Sequence, residues 1–455
     1  MKFKSSFFLL ALFVLFGSFR AHAEKTVSYS REIYPIFRHN CIGCHYPGKL
    51  KAELDLTSWS AAMKGGKHGA ILKAGSPKAS RLLEEISGAE PAMPKDGDPL
   101  RPEEVTLIER WIKQGAKDDS PPANLSHKPA QPPTYNSLPA ITALAYSSDG
   151  KTLAVSGFHE VLLHSGDGSK LIDRLLGESA RIESLVFSPD GKFLAVAGSM
   201  PSLFGEVQIW RVDSDEAKHE QVRSIKVGTD SIFGLSWSPD GERIAVGCSD
   251  RTARVLQVKD GKELLKFDNH SDWVFGTAFT LDGKRLVTAS RDKSMKLIDA
   301  VSGQLVDEIN RESEPLLCMA RFPSTNLVIC GTDQGASRIF KIAERADRAG
   351  GGDPNFVKEV ERLPGPVHAV ACSADGTLVA VGGAGSEVKV FNARDGKKLV
   401  TLKGQEGSIY AVAFNSQTNQ IATGGFDGKL RIYELSKGNL LQTCDPVPLR
   451  VAKAH

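Results

Sequence analysis

The most regular feature of this chain is an alternation of short apolar runs and polar turns that starts after Pro139 and continues to Cys444. In each cycle a strand-like run leads into a turn of the Ser-Pro-Asp-Gly-Lys kind. A second run, rich in Leu, Ala and Val, ends in small residues. A third run, a polar turn and a fourth run complete the cycle. The first cycle contains Ala143 to Lys151 and Leu153 to Gly157. The second runs from Ser184 through Ser188-Pro189-Asp190-Gly191-Lys192 to Trp210, and the third from Leu235 through Ser238-Pro239-Asp240-Gly241 to Leu256. The fourth spans Val274 to Asp299, and the fifth, less regular, Leu317 to Phe340. The sixth holds Ser373-Ala374-Asp375-Gly376 and Val388 to Phe391, and the seventh covers Ala411 to Tyr433. Alternating apolar residues predict strands with one face buried. The Asp-Gly turns need glycine for positive φ in a tight hairpin.

Repeats of roughly 40 to 50 residues with four strands each predict a β-propeller, here of seven blades. The pattern before the repeats is helical. Ile33, Ile36 and Phe37 predict a helix between Tyr29 and Asn40, shortened or kinked by Pro35. Leu54-Asp55-Leu56 reads as a short extended piece and Ala79 to Ile86 as a short helix. Pro102 to Ala116 is the clearest helix. Pro102 suits its first position, Glu103 and Glu104 suit the positive end of the dipole, and Val105, Ile108, Trp111 and Ile112 form one stripe. Lys113 lies in the last turn, and Gly115 stops the helix.

The division read from these patterns is a signal peptide at 1–23, a small helical domain at 24–117, a Pro-rich linker at 118–138, the propeller at 139–446 and a tail at 447–455. The leader has a positive start at Lys2 and Lys4, an apolar run from Phe7 to Phe16, and Ala21-His22-Ala23 before Glu24. An uncleaved anchor is the alternative, although the apolar run is short for a bilayer. After cleavage no stable membrane span is expected, and the chain is expected to be periplasmic or otherwise exported. The seventh cycle supplies its own last strand from Asn439 to Cys444, so nothing before Pro139 is expected to be needed to close the ring.

At 455 residues the chain exceeds one ordinary core; length alone gives about three domains. A net charge of +3 and the absence of a basic block give no reason to expect nucleic acid. Of seven cysteines, Cys248, Cys318, Cys330, Cys372 and Cys444 lie among strand-like residues and read as buried free thiols. The other two belong to Cys41-Ile42-Gly43-Cys44-His45.

A C-x-x-C-H motif places two thiols on one turn, within reach of both vinyl groups of one haem, with the following histidine as axial ligand. A thioredoxin-like redox pair and half a zinc site are the alternatives. No further cysteine occurs before Cys248 to complete a zinc site. Pro91-Ala92-Met93-Pro94 offers a thioether on a stiff loop, a soft sixth ligand; Met63 and His68 are the other candidates.

Val27 to Ala116 resembles the cytochrome c domain common in planctomycetes and related bacteria. The matching runs are Ser30 to Phe37, Cys41 to His45, Leu54 to Leu56, Lys64 to Lys67, Ala92-Met93-Pro94, and Pro102-Glu103-Glu104 through Ile112. The resemblance implies one covalent haem c on Cys41 and Cys44, with His45 and Met93 as axial ligands of the iron. Arg101 stands where that family often has Ser or Thr, which weakens one helix cap. The repeats resemble WD repeats in degenerate form. Trp210 holds the usual Trp position, followed by Arg211, and the fourth unit places His270, Ser290 and Asp292 at a structural hydrogen-bond tetrad, with Ile298 in place of its Trp. The implied fold is mainly β: a seven-bladed WD-repeat-like propeller preceded by a small all-α cytochrome c domain.

The leading functional expectation is a single-electron carrier without a substrate of its own. A redox partner protein would dock at the haem edge, steered by Lys49, Lys51, Lys64, Lys67, Lys73 and Lys78, or on the propeller face. The alternatives are an oxidoreductase whose propeller holds a second cofactor or substrate, and a haem-containing scaffold or sensor. The propeller histidines, His159, His164, His219, His270 and His368, show no clustering in sequence.

Overall fold

The computed structural model describes residues 26–46, 49–95, 97–119, 131–201, 203–212, 219–228, 230–310, 312–345 and 353–450. The expected leader and its cleavage site, and residues 120–130 of the expected linker, lie outside the described residues. The chain falls into two compact units, Met1–Leu125 and Ser126–His455. Among the described residues no helix is long and apolar enough to cross a membrane.

In the first unit a π-helical turn, Tyr29–Ile33, runs directly into helix α1, Tyr34–Asn40. The helix expected there is present in two pieces. Pro35 sits in the first turn of α1, where its missing N–H has no intrahelical partner to lose. Helices α2 (Trp59–Lys64), α3 (Arg81–Ile86) and α4 (Pro102–Lys113) follow. A two-residue hairpin pairs His45–Tyr46 with Lys49–Leu50. Neither α2 nor this hairpin was legible in the sequence, and Leu54 to Leu56 forms no strand. The cap of α4 comes from the third helical residue: the Glu104 carboxylate accepts from the Arg101 N–H at 3.0 Å. Gly115, at φ 99°, ends the helix. The core gathers Ile33, Phe37, Ile108 and Ile112, all fully buried, around an aromatic pair in which Tyr29 stacks on Trp111 at 5.4 Å. Two indole N–H groups tie the end of the unit down, Trp59 to the Ala116 carbonyl and Trp111 to the Lys117 carbonyl, at 2.7 and 2.9 Å.

The second unit is a seven-bladed propeller. Its seven four-stranded antiparallel sheets each follow chain order, with blades at 144–176, 181–227, 232–267, 274–308, 316–360, 367–402 and 409–444. The hairpin turns are built as the sequence predicts. Gly191, at φ 72°, donates to the Ser188 carbonyl at 2.9 Å, while Asp190 accepts from the Ser188 hydroxyl and the Lys192 N–H at 2.5 and 3.1 Å. Small residues end the second strands because the next blade is close. A Cβ on Gly247 would lie 2.5 Å from the Val274 carbonyl oxygen of the following blade.

Polar groups inside the blades differ from the sequence reading in one respect. His270 Nδ1 pairs with Asp292 at 2.8 Å as expected, but its Nε2 meets Thr288 at 2.7 Å, not Ser290. The Ser290 hydroxyl instead donates to the Asp272 carbonyl at 3.1 Å. Thr288 lies opposite Lys296 on the neighbouring strand, two residues before Ser290, so both point to the same face, one step further along. Burial alone would raise the Asp292 carboxyl, but hydrogen bonds from His270 and Ser294 outweigh it and hold it well below the usual range. Other blades satisfy the same region with different side chains. In blade seven Gln405 donates to Thr423 and Tyr433, at 2.6 and 2.9 Å. In blade two the Trp210 indole donates to Gln208 at 2.9 Å, and Gln208 to the buried Glu206 at 2.8 Å.

Ring closure between blades seven and one uses hydrogen bonds as well as packing. Asn415 donates to the Gly150 carbonyl at 3.0 Å, and His164 Nε2 meets the Pro446 carbonyl at 3.0 Å. A stretch expected to be linker takes part. Tyr135 is buried, bridges to Leu449 in parallel, and donates to the Glu160 carboxylate at 2.6 Å. Arg174 grips the same carboxylate at 2.6 and 2.7 Å and donates to the Pro133 carbonyl at 2.8 Å. Both chain ends of the propeller are thus clasped onto blade one. Tyr135→Phe removes the bond to a buried carboxylate and should lower propeller stability by about 1–2 kcal/mol. Tyr135→Ala should cost about 3–5 kcal/mol. Urea unfolding followed by propeller tryptophan fluorescence checks both; an unchanged midpoint for Tyr135→Ala would show that the clasp adds no stability.

Candidate functional site

Helix α1 delivers the Cys41–His45 segment. Its last turn hands over to a tight loop in which the Cys41 N–H donates to Phe37 O at 2.8 Å and the Cys44 N–H to Cys41 O at 3.1 Å. The chain then reverses through the His45–Tyr46/Lys49–Leu50 hairpin, which brings the Lys51 carbonyl back over the His45 ring. His45 Nδ1 lies 3.1 Å from that oxygen. A carbonyl only accepts, so Nδ1 carries a proton, and in the neutral ring the lone pair is then on Nε2. The Leu56 N–H, bonded to His45 O at 3.0 Å, fixes the backbone from the other side.

Cys41, Cys44 and His45 line a cavity of about 880 Å³ in the first unit. Met93 lines it too, on a loop fastened to α3 by its N–H donating to Glu85 O at 2.8 Å. His68 is also at the wall. Met63 packs against the hydrophobic core and is not among the lining residues. The apolar part of the lining is Leu54, Leu56, Ile71, Leu82 and Ile86. The volume is in the range of small-molecule and cofactor sites, about 300–1,000 Å³. Burial pushes the Cys41 thiol up to about 11, so an unattached Cys41 stays protonated at neutral pH.

These residues fit a covalent haem. Two thiols one turn apart, an imidazole anchored through Nδ1 and a thioether share one cavity with apolar walls. Among the lysines named from the sequence, Lys51 and Lys67 line the cavity. Arg81, Lys95 and Arg101 line it as well and were not foreseen. The two arginines are paired, Arg81 with Glu85 at 3.1 Å and Arg101 with Glu104 at 3.0 Å. The hydrogen bond from Arg101 holds the Glu104 carboxyl below its usual range. The role of Lys51 was not legible either, because it is its backbone carbonyl that acts and any residue type supplies one.

The propeller histidines stay apart. His219 pairs with Asp173 at 2.6 Å, His159 Nδ1 lies 3.2 Å from the Glu178 carbonyl, and His368 rests against Tyr410 at 5.5 Å between ring centres. Among the described residues no group of three or more His, Cys, Asp or Glu is placed to hold a metal ion. Cys248 and Cys330 are buried, and Cys318, Cys372 and Cys444 are half-buried; all five are free thiols raised by burial.

Residues 41–97 match the family model described as Planctomycete cytochrome C. Residues 169–200, 261–299, 357–392 and 396–434 match the model for WD domain, G-beta repeat, and residues 204–276 match that for Anaphase-promoting complex subunit 4 WD40 domain. A comparison with curated proteins gave no match. The first match spans the C-x-x-C-H motif and Met93; the others lie on the blades.

The loop that closes the cavity opposite α1 has little room. Gly66 lines the cavity, and a Cβ there would stand 2.5 Å from the Ala52 carbonyl oxygen. Gly66→Ala should therefore push the turn after α2 away from the Ala52 backbone at a cost of about 1–3 kcal/mol. In thermal melts of the haem-loaded protein, the first unit's transition should fall while the propeller's stays put. An unshifted transition would show that the loop yields freely.

Proposed function

We propose that this chain, a planctomycete-type cytochrome c domain fused to a seven-bladed WD-repeat propeller, is an exported single-electron carrier whose propeller is a docking platform for a partner protein. Cys41 and Cys44 would hold one haem c through thioethers, and His45 and Met93 would hold its iron. When bound, the haem iron supplies one-electron chemistry between its ferrous and ferric states. The observation that carries the reading is the convergence of Cys41, Cys44, His45 and Met93 on one cavity, with His45 already held as the tautomer that a metal needs.

Each group has a part that follows from its chemistry. The Lys51 carbonyl orients the imidazole and raises its basicity through the Nδ1 hydrogen bond. Met93 offers a soft sulfur that favours the ferrous state and raises the potential. Leu54, Leu56, Ile71, Leu82 and Ile86 keep water away and lower the local dielectric. If His45 and Met93 both held the iron, no position would be left for a substrate, which would favour transfer over catalysis. Haem attachment to C-x-x-C-H chains takes place outside the cytoplasm, which, together with the leader-like residues 1–23, supports a periplasmic location.

Produced with a haem-maturation system, the protein should stay red after denaturation and acid-solvent extraction, and Cys41→Ala with Cys44→Ala should abolish the colour. Met93→Ala should keep the haem but lose the weak long-wavelength sulfur-to-iron band of the ferric protein and lower the potential. A band that survives Met93→Ala and disappears with Met63→Ala, or a potential that responds to His68→Ala alone, would assign the sixth position elsewhere.

A further inference from the structure

One face of the strand Glu160–Ser165 in blade one holds both chain ends of the propeller. Side chains alternate along a strand, so Glu160, Leu162 and His164 lie on the same side, and all three are buried. Glu160 accepts from the Tyr135 hydroxyl, Leu162 packs in one cluster with Tyr135 and Val447, and His164 meets the Pro446 carbonyl. The two ends are also tied to each other, because the Arg450 N–H donates to the Tyr135 carbonyl at 2.9 Å. The Tyr135 hydroxyl in turn accepts from the Phe158 N–H at 3.1 Å. One unbroken run of contacts thus leads from His164 through residues 446–450 to Tyr135.

His164 is the vulnerable member of that run. The Pro446 carbonyl only accepts, so Nε2 carries a proton toward it, at 3.0 Å. Nδ1 is buried and makes no hydrogen bond. In the neutral ring it bears only a lone pair. In the charged ring it would bear a second N–H, without an acceptor and out of water, which costs far more. Burial accordingly holds His164 below its ordinary range, and the bond to Pro446 offsets only part of that.

The groups around the ring supply no acceptor. The residues opposite it on the two neighbouring strands are Leu153 and Leu171. Glu160, on its own strand, is gripped by Tyr135 and Arg174. Asp167, in the turn that follows, is held below its usual range by hydrogen bonds from Ser165 and Ser169. In blade seven Cys444 bonds to the Gly168 carbonyl and is pushed up to about 11 by burial, and Asp445 is exposed. Burial also raises the phenols of Tyr135 and Tyr146. The thiol and the phenols are thereby moved further from neutrality, whereas an imidazole in water titrates at about 6.5.

We propose that this face is a proton-operated latch: protonation of His164 releases residues 446–450 from blade one, and with them Tyr135, where the chain coming from the first unit is fastened to the propeller. The direction follows from burial. A released His164 takes up its proton near pH 6.5, while the seated ring resists it. The seated form is therefore fully favoured above that pH and loses about tenfold against the released form for each pH unit below it. The latch uses nothing of the haem cavity and stands or falls apart from the electron-carrier reading.

Hydrogen exchange of the full-length, haem-loaded protein between about pH 8 and about pH 5 tests this, each amide rate being divided by the intrinsic rate at the same pH. The Arg450 N–H reports the tail and the Phe158 N–H reports Tyr135. Both should lose protection together, about tenfold per unit below pH 6.5, while amides of blade four hold theirs. His164→Gln can still donate to Pro446 but does not titrate, and both profiles should become flat and protected. His164→Asn is too short to reach, and both amides should exchange readily at every pH. His159→Gln, which alters the ring that rests on Phe158 at 4.5 Å between centres, should leave the fall unchanged. Flat profiles in the unmutated protein, a fall that persists in either His164 variant, or one that vanishes with His159→Gln overturns the latch. So does loss of protection at Arg450 without loss at Phe158, which would detach the tail and leave Tyr135 fastened.

Discussion

The His45 ring is held by a carbonyl of its own chain, six residues further on, and the function proposed for the first unit depends on that contact. An imidazole free to rotate or to exchange tautomers would present a proton as often as a lone pair. The short hairpin after the C-x-x-C-H motif exists to bring Lys51 O over the ring, and the Leu56 N–H locks the same segment from behind. Helix α1 sets the direction from which the motif enters, and the stacking of Tyr29 on Trp111 fixes that end of the fold against α4. These contacts shape the cavity. Its apolar floor belongs to a core that is small for its unit, and below about 100 residues such a core is marginal without a covalent or metal staple.

The propeller solves the opposite problem. It has apolar surface enough and must avoid leaving edges or buried polar groups unsatisfied. Four-stranded sheets in chain order bury their faces against neighbours. Each blade then settles its interior polar groups with its own set: His270, Asp292 and Thr288 in one, Gln405, Thr423 and Tyr433 in another, Trp210, Gln208 and Glu206 in a third. What blades two to seven share is the backbone register of the innermost strand, with one β-bulge in each. The bulge is a property of the fold, while the residue placed on it is open to selection by function.

Much of this was legible because turns and periods are local. The Asp-Gly turns and alternating runs announce seven blades, and the stripe Val105, Ile108, Trp111 and Ile112 announces α4. C-x-x-C-H carries its chemistry within five residues. What was not legible depends on contacts that spacing does not encode. Helix α2 is a short element with no stripe of its own. Thr288 was passed over for Ser290 because the two hydroxyls lie on the same strand face and only the position of the His270 ring decides between them. Tyr135 sits in a Pro-rich stretch that reads as linker, and only the buried carboxylate of Glu160, a blade strand away, shows why it is ordered. The cationic residues around the cavity come from separate segments, so no single motif contains them.

An electron carrier of the proposed kind would have both His45 and Met93 on its haem iron. Addition of carbon monoxide to the reduced protein asks this directly, because the gas binds ferrous haem only where a position is open or easily vacated. The Soret band of the dithionite-reduced full-length protein should stay unchanged under carbon monoxide and should shift in Met93→Ala. A prompt shift in the unmutated protein would mean an open coordination site, and the chain would then be a ligand-binding or catalytic haem protein, not an electron carrier.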